Sequence, residues 1–111
     1  MGKERLPRPS PKTPYAVKVL NKAVQKDWEK MLETRRERAT DCWDHISSTP
    51  YDPIGTRYVP LHPPLNTFPI GGNLLPVWQY EIDRGARVKV AVGQREVTVV
   101  RVSLGHPKEN E

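Results

Sequence analysis

The sequence has a single cysteine, Cys42, and it has no long run of apolar residues. One cysteine excludes an internal disulfide and a zinc site built from clustered cysteines, and a reducing compartment is the simplest setting for it. The missing apolar run argues against a membrane span, and no apolar stretch follows the basic N-terminus as it would in a secretory signal. These absences predict a cytoplasmic protein with no membrane partner.

Apolar residues are also scarce, at 36%, whereas proline occurs 12 times among 111 residues. A chain of this length is expected to form one domain around one core. Residues 1–14 hold four prolines and four basic residues with almost nothing to bury. They are predicted to be a disordered, basic, Pro-rich tail, which leaves residues 15–109 for the folded domain.

The net charge of +5 is unevenly distributed along the chain. Residues 1–26 carry seven Lys and Arg against one acid, residues 27–52 carry four against seven, and residues 53–111 carry seven against five. The excess of positive charge in the first and last segments favours a polyanionic partner such as nucleic acid. Solubility alone is the alternative explanation, since surface Lys and Arg also serve that purpose.

The C-terminal third contains the only continuous strand pattern. Residues 77–82 alternate apolar and polar, residues 86–92 resume the alternation after a turn, and residues 96–104 are apolar on both faces. Alternation is typical of half-buried strands, and two apolar faces are typical of a central strand. We therefore predict a three-stranded antiparallel meander, whose first turn relies on a positive φ at Gly85.

An additional strand and a helix are predicted near the start of the domain. Residues 15–20 read as a strand that pairs with the far end of the meander. Asn21 is a suitable cap for a helix that begins at Lys22. Apolar residues then recur at helical spacing as far as Ile46.

One helix over residues 22–48 would be long for so small a domain. A break is therefore predicted within residues 34–40, with Thr40 and Asp41 capping a second helix, so that the two helices fold as a hairpin. Trp28 and Trp43 lie on the apolar stripe and are assigned to the core.

Residues 50–76 contain seven prolines and are predicted to be a long loop. Two interpretations of its polar and aromatic residues stay open. They approach a bound nucleotide, or the segment is a strap that covers the edges of the sheet. The residues concerned are Arg57, Tyr58, His62 and Phe68.

The order β-α-α-β-β-β, with residues 86–90 as the middle strand and residues 99–106 as the end of the last strand, resembles the RelE/ParE superfamily of bacterial type II toxins. The resemblance covers about residues 15–109. It implies an α+β domain in which an antiparallel sheet of four strands packs on the helical hairpin. The superfamily includes ribosome-dependent endoribonucleases, gyrase poisons and inactive relatives on one scaffold.

The nuclease branch cleaves RNA by attack of its own 2′-OH, which requires a base, positive charge beside the phosphate and an acid for the leaving oxygen, but no metal or cofactor. The resemblance assigns Arg87 to the phosphate charge and His106 to proton transfer. Glu81, on the polar face of the preceding strand, is the predicted base, at a position where many relatives carry lysine. Supporting RNA contacts are predicted for Lys89, Arg101, Lys108 and Arg57.

The favoured function is a toxin that cleaves mRNA on the ribosome and is neutralised by a cognate antitoxin. The chain departs from strong relatives at Gln79 and Glu81, where they carry basic residues, and it lacks their C-terminal tyrosine. Two alternatives therefore stay open. One is a non-catalytic toxin that inhibits an enzyme such as gyrase, and the other is an inactive interaction or nucleic-acid-binding module of the same fold.

Overall fold

A computed structural model describes residues 14–105 of the chain. Most of the predicted tail, together with His106 and Lys108, lies outside the described residues. The predicted α+β class is confirmed, although two short strands are added to the predicted order. The elements are β1 (Ala16–Val19), α1 (Lys22–Thr34), α2 (Arg36–Ser48), β2 (Tyr58–Pro60), β3 (Thr67–Ile70), β4 (Asn73–Glu81), β5 (Arg87–Val92) and β6 (Glu96–Ser103).

The strands form one sheet in the order β1-β6-β5-β4-β2, and β3 pairs with the first part of β4. The predicted antiparallel meander of β4, β5 and β6 is confirmed. β1 pairs with β6 as predicted, but it runs parallel to it, so the expectation of a purely antiparallel sheet is wrong. β1 reaches β6 through a long crossover and not through a hairpin, and a crossover permits a parallel neighbour.

β6 is an interior strand of the sheet, with β1 on one side and β5 on the other. Its residues from Val97 to Val100 are all buried, which agrees with the predicted run of apolar residues on both faces. A surface ion pair between Lys18 and Glu96, 2.8 Å apart, links β1 to the start of β6. Since both side chains are more than half exposed, this pair contributes little to stability.

The first helix begins where the sequence predicts. Asn21 Oδ1 accepts a hydrogen bond from the backbone N–H of Val24 at 2.9 Å, which satisfies one of the free N–H groups of the first turn. The break falls at Arg35, inside the predicted interval, where φ is −139° and ψ is 48°. Neither helix in the described part of the chain is long and apolar enough to cross a membrane.

The predicted cap of the second helix is wrong. α2 starts at Arg36, so Thr40 and Asp41 lie inside it, and its N-cap residue, Arg35, makes no side-chain capping bond. The Arg35 side chain instead donates to Asp83, in the turn between β4 and β5, at 2.6 Å. The break between α1 and α2 is therefore held by the long-range ion pair of Arg35 and Asp83, and not by the local cap that the sequence predicts.

The core lies between the helix pair and one face of the sheet. The helices contribute fully buried residues such as Met31, Cys42 and Ile46, and β5 contributes valines from the opposite side. Burial raises the pKa of the Cys42 thiol, so this cysteine stays protonated and packs as a small apolar side chain, as predicted.

The two tryptophans of the helices have different environments. Trp28 is buried, as predicted, but Trp43 is 41% exposed, so its assignment to the core is wrong. The two ring centroids are 6.0 Å apart. Trp43 thus lies beside Trp28 at the surface of the helix pair, and their contact across the break brings α1 and α2 together as the predicted hairpin.

Residues 50–76, the Pro-rich segment predicted to be a long loop, contain two short paired strands. β2 and β3 both pair with β4, which begins at Asn73 and not at residue 77. Pro60 and Pro69 fall on edge strands, where a missing N–H is tolerated. Tyr58 is fully buried, stacks on Trp78 with centroids 4.9 Å apart, and donates its hydroxyl to the carbonyl of Pro50 at 2.6 Å. Tyr58 therefore anchors a strap over the sheet and does not face a nucleotide.

Candidate nucleic-acid interface

The two faces of the sheet carry different side chains. On β5, Val88, Val90 and Val92 are fully buried toward the helices, whereas Arg87 and Lys89 are half-buried on the opposite side. This alternation is the predicted one. We call the side of β4, β5 and β6 that is turned away from the helices the open face.

The strand register brings three predicted site residues and a serine into one row across the open face. Glu81 is the Cα partner of Arg87, and Arg87 is the Cα partner of Ser103. On the other side, the backbone N–H of Glu81 donates to the carbonyl of Arg57 at 2.7 Å. Neighbouring strands are about 4.8 Å apart, so Glu81 has Arg87 of β5 on one side and Arg57, the residue just before β2, on the other.

A second row lies beside the first. Gln79, Lys89 and Arg101 are register partners on β4, β5 and β6. Together with Arg87 and Ser103 they line a shallow concavity of about 410 Å³, which we call the basic cleft. Its lining has three cations, two neutral hydrogen-bonding side chains and no carboxylate.

A β-bulge is responsible for the position of Arg101. The register between β5 and β6 shifts at Lys89 and Val90, which leaves Val100 as an extra residue on β6. Val99 and Val102 are three positions apart, yet both pack in the core, because the extra residue reverses the alternation. Without the bulge Arg101 would point toward the helices, so the bulge is what completes the basic cleft.

The turn between β4 and β5 is shaped by a carboxylate. Gly85 does not have a positive φ, so that prediction is wrong. Asp83 Oδ1 accepts hydrogen bonds from the N–H groups of Gly85 and Ala86, each at 2.9 Å, and Oδ2 accepts from Arg35 at 2.6 Å. The hydrogen bond from Arg35 lowers the pKa of Asp83. An Asx-type turn locked by an ion pair thus replaces the expected glycine turn.

The end of β6 is attached to the same turn. Arg35 also donates to the carbonyl of Leu104 at 3.4 Å. Gly105 has a φ of +79°, and a side chain there would clash with the backbone of Gly85. This contact fixes the end of the open face that carries Arg87 and Ser103.

The open face offers charge but no aromatic stacking surface on β4, β5 or β6. The aromatic residues of β4, Trp78 and Tyr80, are buried on the helix side with Tyr58. Phosphate contacts position a nucleic acid, whereas single-stranded bases are read mainly by stacking and by hydrogen bonds to base edges. The arrangement is therefore suited to the backbone of a nucleic acid and not to the identity of its bases.

Three of the seven predicted site residues, Arg87, Lys89 and Arg101, line the basic cleft. Glu81 and Arg57 line a separate concavity together with Arg38 of α2. His106 and Lys108 lie outside the described residues. Glu81 and Arg87 are neighbours in register, but within residues 14–105 their charged groups form no ion pair. The same residues contain no group of three His, Cys, Asp or Glu side chains placed to hold a metal ion.

Sequence reasoning missed several residues at this site. Ser103 was recoverable, because it lies two positions after Arg101 on the same strand. Arg38 and Arg84 line the same concavity as Glu81. The sequence does not indicate this position, since arginines of helices and turns are normally solvent-exposed. Arg35 falls in the predicted break over residues 34–40, but the sequence gives no sign of its pairing with Asp83.

No protein-family model matches this chain, and no curated protein matches it either. The function of the open face is therefore inferred from its geometry and charge.

Proposed function

We propose that this chain is a RelE/ParE-like toxin that binds mRNA on the ribosome through its open face and cleaves it. The observation that supports the proposal best is the position of Glu81 between Arg87 and Arg57, with Lys89 and Arg101 close by. Guanidinium and ammonium groups suit phosphate oxygens, and a carboxylate is a suitable acceptor for the proton of a 2′-OH.

The chemistry follows from this row. The Glu81 carboxylate removes the proton of the 2′-OH, whose oxygen then attacks the neighbouring phosphorus. Arg87 donates to the non-bridging phosphate oxygens, where negative charge accumulates as the bond to the 5′-oxygen breaks. The leaving oxygen takes a proton from a general acid, the role that the sequence resemblance gives to His106. This reaction calls for no cofactor.

A cognate antitoxin is part of the proposal. The lining of the basic cleft carries positive charge without a carboxylate, so an acidic segment of a partner protein is complementary to it. Such a segment would cover the residues that contact RNA and would thereby inhibit the toxin.

The test is induced expression in a bacterial host, with growth measured alongside primer extension on a reporter mRNA. We expect growth arrest with mRNA cuts for the wild type, and loss of both for Arg87→Ala and Glu81→Gln. Lys26→Ala is the matched control, because Lys26 is an exposed cation on α1, away from the open face.

Other outcomes reject the nuclease in favour of the alternatives. Arrest without cuts that survives in both variants indicates a toxin that inhibits a target enzyme. Absence of arrest in every strain indicates a binding or interaction module.

A further inference from the structure

A second concavity, lined largely by arginines, lies on the other side of Glu81 from the basic cleft. Its volume is about 390 Å³, and it is formed by α2, the segment before β2 and the turn between β4 and β5. We call it the second cleft. It is lined by Arg38, Thr56, Arg57, Glu81, Asp83 and Arg84.

The positive charges of the second cleft are largely uncompensated. Arg57 and Arg84 are exposed, and within residues 14–105 neither has a carboxylate within ion-pair distance. Arg38 donates to the carbonyl of Ile82 at 3.1 Å, a contact that leaves its charge unneutralised. Three guanidinium groups therefore share one concavity.

Of the two acids in this lining, one is already neutralised. Asp83 is paired with Arg35, which approaches it from the break between the helices. Glu81 is the remaining carboxylate, so the three arginines outnumber the acids that can balance them. A concave surface with such an excess of cations attracts anionic ligands.

The two clefts meet at Glu81. Glu81 lines the second cleft, and its register partner Arg87 lines the basic cleft. A strand of phosphates that runs from the basic cleft past Glu81 toward Arg57 and α2 therefore passes from one group of cations to the other. Arg38 and Arg57 also line the next concavity, where Glu37 and Asp41 balance their charge. The excess of positive charge therefore ends at these two arginines.

We propose that the second cleft binds phosphates of the same RNA strand that occupies the basic cleft, so that the RNA is held on both sides of Glu81. The inference rests on the proposed function and adds Arg38 and Arg84 as RNA-binding residues. Each phosphate contact releases counterions, which makes the number of contacts measurable from the salt dependence of binding.

The experiment compares the binding of a trinucleotide and an octanucleotide of 2′-O-methyl uridine, which cannot be cleaved at the blocked 2′ position. Each carries a fluorescent label, and anisotropy is recorded with the full chain over a range of salt concentrations. For the wild type, the plot of log affinity against log salt is expected to steepen by about 0.7 for every phosphate contact that the octanucleotide adds.

Arg84→Ala and Arg57→Ala are each expected to remove about 0.7 from the octanucleotide slope. Arg84 is an exposed turn residue whose side chain makes no hydrogen bond or ion pair within residues 14–105, so its loss leaves the fold intact. Circular dichroism of each variant checks this point. Lys26→Ala is the matched control and keeps the wild-type slope.

Two results separate this inference from the proposed function. If the wild type binds RNA and both arginine variants keep its octanucleotide slope, the second cleft binds no phosphate and the inference is wrong. If the wild type binds neither the trinucleotide nor the octanucleotide, the proposed function fails and the inference fails with it.

Discussion

The two faces of one sheet are built from alternate residues of the same strands, yet they serve different purposes. Toward the helices, β5 presents three valines that are fully excluded from solvent. Toward the open side it presents Arg87 and Lys89, which line a cleft without a neutralising carboxylate. On β5, side-chain alternation alone separates the residues of the core from the charged residues, whereas on β6 the bulge at Val100 is needed as well. Substitutions on one face should therefore affect unfolding, and substitutions on the other should affect binding.

The largest effect is expected for Met31→Ala on the helix side. Met31 is fully buried in the core, so its truncation is expected to lower the free energy of unfolding by about 2–5 kcal/mol. Urea denaturation followed by circular dichroism measures this loss. RNA affinity of the folded protein should stay at the wild-type value, and a parallel loss of affinity would show that the two faces are not independent.

A somewhat smaller loss of unfolding free energy is expected for Gly105→Ala. Gly105 follows β6 and packs against Gly85 in the turn between β4 and β5. The added methyl group clashes with the backbone of Gly85 and the residue has a positive φ, so we expect a cost of about 2–4 kcal/mol. Gly72→Ala is the control, because Gly72 has a positive φ of +85° but open space around it. Its cost should be about 1 kcal/mol. Equal melting temperatures of the two variants would contradict the close contact between Gly105 and Gly85.

Lys89→Ala tests the open face by itself. Lys89 is half-buried in the basic cleft. Its removal is expected to reduce the slope of log RNA affinity against log salt concentration by about 0.7. The free energy of unfolding should change by about 0.5 kcal/mol or less. Anisotropy and urea titrations on the same preparation give both quantities. An unchanged slope would exclude Lys89 from the RNA contact.

A small effect that depends on pH is expected for Asp83→Asn. The pKa of Asp83 is lowered from the usual value of 3.8 by the hydrogen bond from Arg35, so the ion pair stabilises the fold above that pH. The contribution is lost as the pH falls through the lowered pKa. Both side chains are partly exposed, so Asp83→Asn should cost well under 1 kcal/mol near neutral pH.

Asp83→Ala is the matched comparison for this turn. Asparagine keeps the acceptor for the N–H groups of Gly85 and Ala86, whereas alanine loses it. Alanine should therefore cost about 1 kcal/mol more. The difference in unfolding free energy between the wild type and Asp83→Asn should disappear in acid. A difference that is constant with pH would contradict the ion pair.

Local patterns predicted the parts of the fold that depend on neighbours in sequence. The alternation of the meander and the cap at Asn21 follow from residues within a few positions of each other. The helix break falls in the predicted interval, but a long-range ion pair and not a local cap holds it. The parallel direction of β1 and the pairing of β2 depend on partners far along the chain. Periodicity carries no information about such partners.

The candidate site shows the same division. Arg87, Lys89 and Glu81 were assigned to one face because strands alternate. Arg101 joins them through the bulge at Val100, which a run of valines does not reveal. Arg84 belongs to the turn that Asp83 shapes, and Arg38 reaches the site from α2, so only tertiary structure brings these two arginines beside Glu81.

The pairing of β1 with β6 has a consequence for synthesis of the protein. β6 is an interior strand of the sheet and the last of the described strands to be synthesised, while its partner β1 is the first of them. Domains fold as units once their sequence is available, so β1 and the helices must wait for β6 before the core can close. The cleft that Arg101 and Ser103 of β6 help to line is therefore completed only after the last of the described strands has been made.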